Sequence, residues 1–151
     1  MVKILQAMIS EFQAFAGWAG WELIRQEIWK IALIMLGGSL GAVSRYGTSL
    51  LAARLFGTQF AWGTLIVNLT GCFLIGFAFS LADRVPWMGT LPRLFFVTGY
   101  LGALTTFSTF GLETANFFRA ASYWLTASNI LVNNFLGIGL VFLGMWLGRL
   151  M

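Results

Sequence analysis

Residues 99–111 read Gly-Tyr-Leu-Gly-Ala-Leu-Thr-Thr-Phe-Ser-Thr-Phe-Gly and lie, without a charge, between Arg93 and Glu113. Four hydroxyls (Thr105, Thr106, Ser108 and Thr109) crowd into five residues between Gly102 and Gly111. Isolated Ser and Thr residues in a membrane helix satisfy themselves by bonding the i−4 carbonyl. Four of them with flanking glycines exceed that need, so the run predicts a helix break with exposed carbonyls. Bare backbone is costly in hydrocarbon and is tolerated only against protein or a wet, ion-conducting cavity. Phe107 and Phe110, three apart, share a face wherever the backbone is helical.

The surroundings of this run are those of a membrane protein. Of 151 residues, 59% are hydrophobic and 9% charged, and the mean hydropathy of +0.84 makes the bilayer the natural solvent. Charges leave apolar blocks of spanning length, about 20 residues. The blocks run from about Ile31 to Ala53, Trp62 to Ala82, Leu91 to Phe118 and Ala120 to Gly148. Trp29, Trp62, Trp87, Trp124 and Trp146 mark their edges, as interfacial anchoring requires. The fold class is therefore an all-α integral membrane protein with four transmembrane helices, the third one broken.

Residues 1–30 differ from the four-span part, 31–151. Ile4, Leu5, Met8, Ile9, Phe12, Phe15 and Ala16 recur at helical spacing among Lys3, Gln6, Ser10, Glu11 and Gln13, the pattern of an N-terminal amphipathic helix on the membrane surface. Four spans place Lys3, Arg25, Lys30, Arg84, Arg93 and Arg149 on one side of the membrane and Arg54 and Arg119 on the other. That bias favours cytoplasmic termini.

Composition also excludes. There is no histidine and a single cysteine, Cys72, so zinc, iron–sulfur and disulfide frameworks have no ligand set. Scattered basic residues offer no patch for nucleic acid, and nothing in the chain suggests an enzyme.

Polar residues inside the spans carry the function. In the first block, Gly37 and Gly41 form a small face for close helix approach, and Arg45 either snorkels or attracts an anion into a water-filled vestibule. In the second, Thr64, Asn68, Gly71 and Cys72 share one face. In the fourth, Asn129, Asn133 and Gly137 follow i, i+4, i+8, with Asn134 alongside, either a polar path or an inter-helix seam. These groups are nearly all neutral donors, and the one acid within a span, Glu113, is near a helix end. Donors without carboxylates suit an anion. A four-span dual-topology exporter of drugs or cations, the alternative reading, needs a deep titratable acid.

Three motifs resemble those of the Fluc (CrcB) fluoride channels: Gly37 to Tyr46 as Gly-Gly-x-x-Gly-Ala-x-x-Arg-Tyr, Gly63-Thr64-Leu65-x-Val67-Asn68-x-x-Gly71, and Gly102-x-Leu104-Thr105-Thr106-Phe107-Ser108-Thr109-Phe110. The last is highly specific, and the likeness covers about Ile31 to Leu150. The resemblance implies passive efflux of cytoplasmic fluoride across the cell membrane, which lowers its toxicity, through an antiparallel homodimer with two pores. It implies Asn68 as a pore-lining donor and Phe107 and Phe110 as paired rings at the fluoride positions. Thr106, Ser108 and Thr109 would supply hydroxyls. Arg45, Thr64, Asn129 and Asn133 would complete the fluoride pathway. The carbonyls of Gly102 and Thr105 would hold a structural sodium ion on the dimer axis. In the fourth helix, Asn129 and Asn133 stand where family members often have a tyrosine and then a serine.

Overall fold

The computed structural model describes residues 2–82, 84–85 and 88–151, with the side chains of residues 2–4, 14–16, 18 and 19 left aside. Asp83 and Trp87, and the side chains of Lys3, Ile4, Phe15 and Ala16, thus lie outside the described residues. The described elements are all helical: α1 (Val2–Phe56), α2 (Trp62–Ala82), α3 (Thr90–Arg93), a π-helical stretch (Leu94–Leu101), α4 (Gly102–Leu104), α5 (Phe107–Arg119), α6 (Tyr123–Leu131), a second π-helical stretch (Val132–Leu136) and α7 (Gly137–Leu150). Four helical segments are long and apolar enough to cross a membrane: Gly20–Phe56, Trp62–Ala82, Thr90–Arg119 and Tyr123–Leu150.

Two compact units divide the chain, Met1–Ala32 and Leu33–Met151. In the first unit the helix runs on without a stop at residue 30, since this segment holds no proline. Two ion pairs one turn apart, Arg25–Glu22 and Lys30–Glu27, support it. Leu5, Met8, Ile9 and Phe12 are exposed, as are Trp21, Ile24 and Ile28. At 100° per residue the two apolar groups are centred roughly 140° apart, while exposed Leu23 falls on the face of the first.

The second unit is built on close helix approaches. At Gly41 a Cβ would overlap the Tyr100 carbonyl, so only glycine lets α1 reach the third span there. Gly76, Gly144 and Gly148 make the corresponding seam between α2 and α7. Val67, Leu101 and Leu104 form the apolar core, flanked by Leu74, Phe96 and Tyr100. Arg93 donates to the carbonyls of Met88 and Ala82, both at 3.1 Å, and so pins the connection between the second and third spans.

The fourth helix starts at Tyr123 rather than Ala120. Ala120 and Ala121 donate back to the end of α5, and Ala121 takes a positive φ of 55° in the tight turn. Neither π-helical stretch is signalled by apolar periodicity, which does not separate an i→i+5 from an i→i+4 ladder over one or two turns.

Candidate functional site at the broken third span

The third span breaks where the hydroxyl run predicts. Thr105 (φ −82°, ψ 157°) and Thr106 (φ −152°, ψ 117°) are extended, between α4 and α5. Two substitutes for helical bonds hold this shape. The Thr106 N–H donates to Asn68 Oδ1 at 2.8 Å, and Asn68 Nδ2 donates to the Thr106 carbonyl at 3.2 Å. One amide side chain thus stands in for a neighbouring backbone, satisfying both polar groups of Thr106. The Thr106 hydroxyl caps α5 by accepting from the Thr109 N–H at 3.2 Å. It also reaches Thr109 Oγ1 at 3.0 Å and Ser108 Oγ at 3.4 Å. Ser108 and Thr109 serve the cap and are not among the residues that line the adjacent cavity.

The break produces two half-helix ends of opposite polarity. In an unbroken helix the Thr106 N–H would bond the Gly102 carbonyl; here it goes to Asn68, leaving that carbonyl without its i+4 partner. The α4 side therefore presents carbonyl oxygens, and the α5 side presents first-turn N–H groups at the positive end of its dipole. Arg45 resolves toward the break: its Nη1 lies 3.5 Å from the Thr105 carbonyl, on the same helix face as Gly41. Thr105 Cγ2 sits where a Cβ on Gly71 would be, so Gly71 makes the room for this turn.

A cavity of about 360 Å³ opens beside the break, lined by Asn68, Gly102, Thr105, Thr106, Phe107, Phe110 and Asn133, with Cys72 and Asn134 among the others. The Phe107 and Phe110 centroids are 5.5 Å apart with the rings tilted by 50°. Phe110 is 8% exposed and Phe107 82%. Seven of the twelve expected site residues thus meet at one cavity.

The other expected residues divide. Thr64 faces a separate cavity of about 310 Å³ with Glu113, Ser49 and Asn116, and its hydroxyl donates to Glu113 Oε1 at 2.8 Å. Asn129 is fully enclosed and lines neither cavity. Its Nδ2 donates to Thr114 Oγ1 at 2.9 Å, and Asn133 Nδ2 donates to its Oδ1 at 3.0 Å. Asn68 Nδ2 completes the seam by donating to Asn133 Oδ1 at 3.2 Å. Thr114 is the polar residue that sequence reasoning missed. Its one signal is its place four residues after Phe110, on the same face of α5.

Comparison with known proteins gives the chain a family. The family model described as "CrcB-like protein, Camphor Resistance (CrcB)" matches residues 32–145, which contain the break, both cavities and most of all four spans. The chain belongs to the CrcB family. Proteins named fluoride-specific ion channel FluC are similar to it across nearly their whole length. That of Dehalococcoides mccartyi (strain CBDB1) is 46% identical over 122 residues, 81% of this chain and 94% of the relative. That of Salinibacter ruber is 47% identical over 115 residues, 76% and 86% of the two chains. That of Agrobacterium fabrum is 44% identical over 119 residues, 79% and 95%. With its four apolar spans, this CrcB member is a multi-pass membrane protein. Residues 1–31 precede the family match.

Proposed function

We propose that this protein is a fluoride-selective channel, not an enzyme, which lets fluoride leave the cytoplasm passively across the cell membrane. The observation that carries the reading is the broken third span, clamped by Asn68, with Phe107 and Phe110 on the same cavity. An aromatic ring is positive at its edge, and the α5 N-terminus is positive along its axis. Together they meet a small hard anion without a fixed counter-charge that would trap it. The relatives' names point to the same ion. An exporter of cationic drugs is not favoured, because among the described residues Glu113 is the one acid beside these cavities and already accepts a bond from Thr64.

Fluoride efflux from proteoliposomes is expected to proceed with strong rejection of chloride, measured with ion-selective electrodes on the same preparation. Equal flux of both halides would overturn the reading.

The functional unit in this reading is an antiparallel homodimer. A ring as exposed as Phe107, placed at the break, is the feature a second copy would cover. Impermeant maleimide applied to whole cells carrying Met151→Cys is expected to label a fraction of the protein before permeabilisation and the remainder after. Labelling from one side only would exclude the antiparallel dimer.

The same break suits a structural sodium ion. Among the described residues no cluster of three or more His, Cys, Asp or Glu is placed to hold a metal, and the groups at the break are neutral oxygens. Gly102 and Thr105 would hold the ion through their carbonyls, a donor set fitted to a group 1 cation rather than to the carboxylate-rich sites of calcium. Bound there, it would supply positive charge that draws the two α4 ends together, with Arg45 adding to the same local field.

A further inference from the structure

Asn129 belongs to a directed series of hydrogen bonds whose polarity is set by the backbone. The Thr106 N–H can only donate, so it fixes Asn68 Oδ1 as the acceptor and turns Nδ2 to Asn133 Oδ1. With its oxygen engaged, Asn133 directs Nδ2 at Asn129, where the backbone carbonyl and Oδ1 both accept at 3.0 Å. Asn129 Nδ2 then meets Thr114 Oγ1. The Thr114 hydroxyl spends its hydrogen on the Phe110 carbonyl at 2.7 Å, a group that can only accept. Backbone groups therefore dictate direction at the start, the middle and the end. The series begins at the break and ends on the residue that carries the inner ring.

We propose that Asn129 and Thr114 are positioning residues of the fluoride pathway, the relay through which the fourth span holds the Asn68 clamp and Phe110 in register. The proposal rests on the channel reading above. Neither residue lines the cavity beside the break; both act through groups that do. Asn129 has no exposed surface, so a severed link there finds no water to replace it, and the neighbouring amides lose their fixed orientation together. This assigns the fourth-helix asparagines a role that differs from direct contact with the ion. Asn133 stands in both cavity wall and relay, and Asn129 in the relay alone.

Fluoride and chloride efflux from proteoliposomes, with thermal midpoints in detergent, test the relay on Thr114→Val, Thr114→Ser, Asn129→Leu and the double variant Thr114→Val with Asn129→Leu. Thr114→Val and Asn129→Leu are each expected to lower fluoride flux about tenfold, the order set by one buried unpaired group, and to narrow the fluoride-to-chloride ratio. Thr114→Ser, which keeps the hydroxyl, is expected to match the wild type. The double variant is expected to be no worse than Asn129→Leu, because a series already cut cannot be cut again. Losses that multiply in the double variant, or a halide ratio unchanged in both single variants, would overturn the proposal. Should Asn129→Leu fail to assemble, equal flux in Thr114→Val and Thr114→Ser would overturn it alone. If the wild type carries no fluoride, the channel reading fails and the role in its pathway with it, and only the coupling of the hydrogen bonds is then judged on the midpoints: non-additive shifts retain it, additive shifts end it.

Discussion

Asn68→Asp is expected to abolish fluoride efflux while leaving the four spans assembled. The amide makes two donations, to the Thr106 carbonyl and to Asn133 Oδ1, both at 3.2 Å. An ionised carboxylate donates neither, and sets an oxygen against each of those oxygens. It retains the acceptance from the Thr106 N–H, which keeps the side chain at the break. The same charge stands on the wall of the cavity proposed above as the anion's route. Two like charges 4 Å apart at an effective dielectric of 20 repel by about 4 kcal/mol, or about a thousandfold in rate. Proteoliposome flux measures the loss, and gel filtration confirms assembly. Near-normal flux would make Asn68 a clamp alone, outside the ion's route.

Gly41→Val is expected to be strongly destabilising, as is its counterpart at Gly37, whose Cβ would meet backbone just as closely. The Cβ at Gly41 would overlap the Tyr100 carbonyl and press on the Leu104 N, both backbone atoms that no rotamer change moves aside. Over-packing of this kind costs about 3 kcal/mol, which lowers the thermal midpoint by roughly 10 °C for a chain of this size. Arg45, one turn further on, is carried off the Thr105 carbonyl by the same displacement, so flux is expected to fall as well. Gly47→Val is the control. Nothing lies within 4 Å of a Cβ there, and its midpoint is expected to stay in place. Equal midpoints for the two variants would mean that the approach at Gly41 is looser than drawn.

What was legible in the sequence is what a segment settles by itself. An apolar block bounded by charges partitions into a bilayer wherever it occurs, so Trp62–Ala82 coincides with its sequence reading to the residue. The break at Thr105 and Thr106 was legible for the same reason: glycines and crowded hydroxyls weaken a helix locally. The N-terminal segment shows the limit of local pattern. Its first sixteen residues describe an apolar stripe, whereas after Gly20 the exposed apolar residues fall on more than one face, Leu23 with the stripe and Trp21 and Ile28 away from it.

The sequence alone thus determined the number of spans, the position of the break and the family to which its motifs belong. Which polar group meets which was left to the tertiary structure. Asn68 finds Thr106 across 38 residues of chain, Arg45 finds Thr105 across 60, and Thr64 turns from Asn68's cavity to Glu113 across 49. Each pairing depends on the rotation and depth of one helix against another, set by the glycine approaches at Gly41, Gly71 and Gly76. Spacing along a chain places residues on a face, but only packing decides what that face meets.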